Sequence, residues 1–361
     1  MAFMWGSRRS LAKKGKGNYA YAVARVKSKK ALLLTKDNYP KLLMMDLNEI
    51  ARFLGETQYK VEMAELASRH EGVNLIELGT AMNQARVYSQ ILGFCTGDLK
   101  TTLEKFLARW DFMNVKTLLR AKMAGATVEE LQEDIVAAGK LTDEQILQLF
   151  SMDNIKDILE EMGRKYGMNV PEDLKNGLEN TKDLGPVEDY LDKLYYQRFF
   201  EQLTQPTRPE KVLVNWMRIE VDAKNIITLL KLKRYNVQSE KISSYFIEGG
   251  AELSVKELVR ISATDSLDSA IGELNKLTYY EQIKDALEVA RTTGSLSEVE
   301  IALNKRLARQ AEKLSRAYVS SVLPIVDYIV RKKIEVDNIR IIARCKQSGL
   351  SPEMIKKLLV I

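Results

Sequence analysis

Histidine is nearly absent from this 361-residue chain. His70 stands alone, in the polar stretch SRHEG, and the only cysteines are Cys95 and Cys345. One imidazole and two thiols cannot build a disulfide framework or a four-ligand zinc site. His70 reads as a surface residue, because a catalytic imidazole needs a partner set that the sequence does not supply. Cys345 falls at an apolar helical position, which predicts a reduced core thiol and a cytosolic setting. No stretch approaches the roughly 18 uncharged apolar residues of a membrane-spanning helix. There is no G-x-S-x-G elbow, no G-x-x-x-x-G-K-[ST] phosphate loop and no G-x-G-x-x-G after a strand. GKGNY, beginning at Gly15, is glycine-rich but follows no strand pattern. Paired acids such as Glu129–Glu130 and Glu160–Glu161 fit solvated helix faces. The residues point to a protein that is not an enzyme, with no catalytic, cofactor-binding or metal site.

Proline is sparse and unevenly placed. After Pro40 the next is Pro171, and none lies between Pro209 and Pro324. Pro171, Pro186, Pro206 and Pro209 gather with Gly and Asn in residues 168–210, which read as inter-helix loops. Pro324 interrupts an apolar helical pattern and predicts a kink or break. No hairpin dipeptide separates alternating runs, so nearly everything reads as helix.

Acid is missing from the start of the chain. Residues 1–36 hold ten Lys or Arg and no Asp or Glu; the remainder has 45 basic against 49 acidic residues. The formal +6 is therefore an N-terminal property and not a nucleic-acid groove spread over the fold. Residues 1–17 lack periodicity and read as a disordered basic terminus. They lack the apolar run of a secretory signal, and share only their acid-poor basicity with organellar transit peptides.

What the chain does contain is one stretch written three times. DFMNVKTLLRAKMAG starts at Asp111, DAKNIITLLKLKRYN at Asp222 and EVDNIRIIARCKQSG at Glu335. Aligned on Asn114, Asn225 and Asn338, each has an acid three residues earlier (Asp111, Asp222, Glu335). A cation follows at plus six (Arg120, Lys231, Arg344) and a lysine at plus eight (Lys122, Lys233, Lys346). Gly125, Asn236 and Gly349 close the copies, and the copies lie 111 and 113 residues apart. Spacing that long gives domain-sized units and not a tetratricopeptide or armadillo array.

Each copy reads as a helix ended by a residue that tolerates positive φ. At about 100° per residue, the acid, the Asn and the plus-eight Lys fall within about 80° of one another on the apolar face. The plus-six cation falls toward water. Acid and Lys are about 16 Å apart along the axis, too far to pair, so each needs a partner on a neighbouring helix or a place at the rim. Two readings stay open: keys of the fold, or, for the lysines, part of a binding surface. Arg120, Lys231 and Arg344 are candidate interface positions.

Helix starts recur with the repeat. Thr127 with Glu130, Thr142 with Gln145 and Ser254 with Glu257 form capping boxes, and Ser351–Pro352 marks one more start. The reading is all-α: repeat 1 over residues 18–141, repeat 2 over 142–253 and repeat 3 over 254–361.

YAYAVARV (19–26), NVKTLLRAK (114–122), IEVDAKNIITLLKLK (219–233) and EVDNIRIIARCKQSGL (335–350) together resemble the C subunit of the archaeal A-type (V/A-type) rotary ATP synthase, similar to the d subunit of the vacuolar ATPase. The resemblance runs from about Asn18 to the end. It implies three homologous helical-bundle domains arranged as a pseudo-threefold funnel. It also implies a non-catalytic, cofactor-free adaptor of a proton- or sodium-translocating complex. The implied partners are the D and F subunits of the central stalk and the proteolipid ring, with no nucleic acid and with membrane contact only through the ring. The implied place is the cytoplasmic side of the cell membrane, held peripherally. A general helical interaction scaffold is the alternative reading.

Overall fold

The computed structural model describes residues 15–237 and 242–361. Among these residues there are eighteen α-helices and no strand. The chain opens with α1 (Tyr19–Lys30), three short helices α2 (Asn38–Met44), α3 (Leu47–Gly55) and α4 (Lys60–Leu66), and the long pair α5 (Gly72–Phe94) and α6 (Gly97–Ala124). Four shorter helices follow: α7 (Val128–Asp134), α8 (Asp143–Phe150), α9 (Ile155–Tyr166) and α10 (Glu172–Thr181). A second long pair is α11 (Gly185–Glu201) and α12 (Arg208–Arg234). Then come α13 (Val255–Ser262), α14 (Leu267–Glu273) and α15 (Tyr280–Thr293), a third long pair α16 (Ser297–Ala317) and α17 (Leu323–Gln347), and α18 (Pro352–Lys357).

Local chemistry sets many of these boundaries. Reciprocal capping boxes start α3 (Asp46/Glu49), α7 (Thr127/Glu130), α8 (Thr142/Gln145), α12 (Thr207/Glu210) and α13 (Ser254/Glu257). Each satisfies two of the donors that a helix start leaves without partners. The three Asn-bearing helices, α6, α12 and α17, are the longest, at 28, 27 and 25 residues. They stop alike. Gly125, Asn236 and Gly349 take φ of +68°, +50° and +72°. The next N–H (Ala126, Val237, Leu350) then donates back to the carbonyl five residues earlier (Ala121, Leu232, Cys345) at 2.9, 3.0 and 3.0 Å. That is the Schellman closure, which the left-handed residue makes reachable.

Three apolar cores lie along these helices. The first holds α6, α11, the α12 segment Val212–Val221 and the start of α17, Leu323–Ile329. The second takes the rest of α12, from Ala223, with α13 to α15 and the first half of α16. The third joins the two ends of the chain: Tyr39, Leu42, Ile50, Leu54 and Tyr59 pack with Val336, Ile339, Ile342, Ile355 and Leu359. So α12 and α17 each serve two cores along their length.

Some expectations need correction. Residues 168–210 are mostly helix: Pro171 caps α10, while Pro186 and Pro209 sit in the first turns of α11 and α12. A helix start tolerates proline because its N–H has no intrahelical partner to lose. Pro324, by contrast, marks a break as expected: α16 ends at Ala317 and α17 starts at Leu323, with Pro324 in its first turn. Cys345 is half-buried at the edge of the third core, whereas Cys95 is buried. At the N-terminus, Gly17 N–H donates to Asp98 Oδ1 at 2.5 Å and Asp98 N–H to the Gly15 carbonyl at 3.0 Å. The rest of the terminus read as disordered, residues 1–14, lies outside the described residues.

Candidate functional site

The inward polar residues of the three long helices all have partners, and these are backbone groups of loops and helix ends more often than side chains of neighbouring helices. Asn114 Nδ2 donates to the Val136 carbonyl at 2.8 Å, and Val136 N–H returns a bond to Asn114 Oδ1 at 2.9 Å. Asn225 does the same with Ile247, at 2.8 and 2.9 Å, and Asn338 with Val360, at 2.9 and 3.0 Å. In each case the partner lies 22 residues on.

The acids gather N–H groups. Asp111 accepts from Lys140 and Leu141, both at 2.9 Å; Asp222 accepts from Ala251, Glu252 and Leu253 at 3.1, 2.8 and 3.2 Å. Burial pushes both carboxyl groups above the usual Asp range, and the N–H bonds offset this only in part. Gly139 and Gly250 lie so close to these carboxylates that a Cβ on either would collide with them. The third acid has different partners. Glu335 instead accepts from Leu34 N–H, Tyr59 OH (2.6 Å), Gln58 Nε2 (2.9 Å) and Lys332 Nζ (3.1 Å).

The plus-eight lysines cap helix ends. Lys122 donates to the Phe150 carbonyl at 3.0 Å, Lys233 to Ser262 at 3.1 Å and to Thr264, and Lys346 to Leu43 at 2.7 Å. An ammonium at a helix C-terminus satisfies free carbonyls and the negative end of the dipole.

The plus-six cations are exposed and paired. Arg120 forks onto Glu188 at 2.6 and 2.5 Å, Lys231 meets Glu300 at 2.9 Å, and Arg344 forks onto Glu77, one arm at 2.9 Å. These bonds join α6 to α11, α12 to α16 and α17 to α5. Glu77, Glu188 and Glu300 stand 111 and 112 residues apart. The sequence reading missed them; the signal was an acid recurring at the repeat distance.

Between the three long helices lies a hollow of about 1060 Å³. Two sets of equivalent positions line it. Five residues before each Asn stand Arg109, Glu220 and Lys333; one residue before stand Met113, Lys224 and Asp337. Arg109 forks onto Glu220 at 2.9 and 3.0 Å, over the Phe106 ring at 4.0 Å. Burial alone would lower the Arg109 pKa, but the Glu220 carboxylate together with Tyr195 and Tyr196 outweighs it and holds the guanidinium above its usual value. Lys333 pairs with Asp337 at 2.6 Å. The hollow presents paired charges, the exposed Lys224 and apolar surface. Among the described residues no group of three or more His, Cys, Asp or Glu is placed to hold a metal ion.

Residues 22–358 match the family described as ATP synthase (C/AC39) subunit. The chain belongs to the ATP synthase (C/AC39) subunit family. The C subunit of the A-type ATP synthase of Methanosarcina mazei is 36% identical over 364 residues, covering 99% of this chain and 98% of that protein. Its counterpart in Methanosarcina barkeri is 37% identical with the same coverage. That of Archaeoglobus fulgidus is 33% identical over 350 residues, 96% of this chain and 98% of the relative. The family match contains all three Asn-bearing stretches and therefore the whole lining of the hollow except Val360. Among the described residues of this C/AC39-family chain, no helix is long and apolar enough to cross a membrane.

Proposed function

We propose that this ATP synthase component is the non-catalytic central-stalk adaptor of an A/V-type, proton- or sodium-translocating complex. It seats on the membrane proteolipid ring, receives the end of the central shaft, made of the D and F subunits, in the hollow, and transmits torque between them. It works at the cytoplasmic side of the membrane, touching the bilayer only through the ring.

The single observation that carries this reading is the hollow itself. It is walled by three helices that use equivalent positions to face it. The same reading takes the body as a pseudo-threefold funnel of three helical units, 18–141, 142–253 and 254–361, with the start of the chain contributing to the core of the third. The three recurring ion pairs between α6 and α11, α12 and α16, and α17 and α5 support such a cyclic arrangement. A closed ring of packed helices also resists twisting, because close-packed interiors deform little.

Co-purification tests the proposal. The full chain is expected to form a stable complex with the D and F subunits and a salt-sensitive one with the proteolipid ring. Crosslinks to the shaft should concentrate at Met113, Ile227 and Ile341. A chain that ignores both partners, or crosslinks to the shaft only through its outer helices, would refute it.

A further inference from the structure

We infer that the hollow accepts its occupant in one rotational setting only, because its walls are geometrically equivalent and chemically different. This rests on the reading of the hollow as the seat of the shaft, and it specifies what the shaft must present there.

The position before each Asn faces the cavity from all three helices. On α6 it is Met113, an apolar side chain 41% exposed. On α12 it is Lys224, exposed, with its ammonium 5.9 Å from the centre of the Tyr196 ring; among the described residues it has no carboxylate within ion-pair reach. On α17 it is Asp337, already bound to Lys333. The ring one turn away breaks the symmetry too. Two of its members, Arg109 and Glu220, satisfy each other between α6 and α12, and the third, Lys333, turns to Asp337.

The walls therefore offer three different surfaces. At the level of the residue before each Asn, the α6 wall is apolar, the α12 wall carries an uncompensated cation, and the α17 wall carries a neutralised pair. A volume of about 1060 Å³ holds about two turns of a single helix. The matching occupant is a helical tip with an apolar side chain toward α6, a carboxylate toward α12 and a neutral polar group toward α17. One third-turn would bring the carboxylate against Asp337 and the apolar side chain against Lys224; the opposite one would bury the carboxylate against Met113 and leave Lys224 without its partner. Like-charge contact and a desolvated unpaired charge both disfavour those settings.

The test uses the full chain with Cys95→Ser and Cys345→Ser, assembled with the D and F subunits of the same synthase. Single cysteines are placed at Met113, Ile227 or Ile341, one per wall and none at a charged position. A second cysteine is walked around the shaft tip. Each shaft position is expected to crosslink to one wall about tenfold more than to the others. Equal crosslinking to all three walls overturns the inference but leaves the seat intact. Loss of all binding and crosslinking overturns the seat, and the inference with it. In parallel, Lys224→Glu is expected to weaken shaft affinity about tenfold while Lys224→Arg preserves it. Unchanged affinity in Lys224→Glu would refute the assigned carboxylate.

Discussion

Asn225 and Ile247 exchange two hydrogen bonds, the side-chain amide of one serving both backbone groups of the other. The amide acts as a neighbouring peptide would. An Asn or Gln amide donates and accepts at once, in the geometry of a peptide group; an ionised Asp can only accept and Leu can do neither. The same exchange links Asn114 to Val136 and Asn338 to Val360.

Removing that amide leaves a buried N–H and a buried carbonyl unpaired. Asn225→Leu is expected to cost about 3 kcal/mol of stability. Lys231→Ala, which loses only an exposed ion pair with Glu300, is expected to cost less than about 1 kcal/mol. Urea melts of the two variants check the order, and a larger loss for Lys231→Ala would contradict the inside–outside assignment.

Gly250 has no room for a side chain, because the Asp222 carboxylate sits against its Cα. Gly250→Ala is expected to destabilise by about 1–3 kcal/mol, through displacement of the loop that Asp222 holds. Gly272, within α14, meets nothing within 4 Å. Gly272→Ala should be neutral or stabilise by up to about 1 kcal/mol. Equal melting temperatures for the two variants would refute the steric account.

The three plus-six ion pairs differ in burial, so they should differ in weight. Arg120 with Glu188 is largely exposed on the Arg side, and a double-mutant cycle should give about 0.3–1 kcal/mol, reduced in 0.5 M salt. Glu77 is 4% exposed and serves both Arg344 and Arg340. Glu77→Ala should therefore cost more than Glu188→Ala, about 1–2 kcal/mol, since Arg340 and Arg344 are left with Asp134 alone. A reversed ranking in denaturant titrations would count against this.

Lys332 is completely buried, 3.1 Å from Glu335 Oε1 and 3.9 Å from the centre of the Tyr59 ring. Burial pulls its pKa down to about 8, with Glu335 opposing. The folded value lies below the unfolded one, so above about pH 8 the unfolded chain binds more protons and stability rises with pH. That contribution is lost as pH falls through about 8. From about pH 8 to about pH 9.5 the natural chain should gain about 1.5 kcal/mol over Lys332→Met. Melts at both pH values measure the difference, and a pH-independent gap would exclude the lysine as its source.

Much of the architecture was legible because it is encoded at short range. A capping box spans three residues, a helix stop rests on one positive-φ residue, and an inward Asn is fixed by its place on the wheel. The boxes at Thr127, Thr142 and Ser254 and the stops at Gly125, Asn236 and Gly349 needed no tertiary knowledge. The prolines of residues 168–210 misled because proline opens helices as well as ending them. The partners of Asn114 and Lys122, 22 and 28 residues away, follow no local rule.

By itself the sequence determined the helical class, the threefold repetition and the inward set of acid, Asn and Lys, since periodicity and capping are properties of neighbouring residues. Tertiary structure alone decided that Leu34, Leu43 and Tyr59 complete the third set, across as many as 303 residues. It alone decided that Glu77, Glu188 and Glu300 take the plus-six cations, and that Met113, Lys224 and Asp337 face one hollow. Those relationships depend on how the helices pack, and packing joins residues that no spacing along the chain connects.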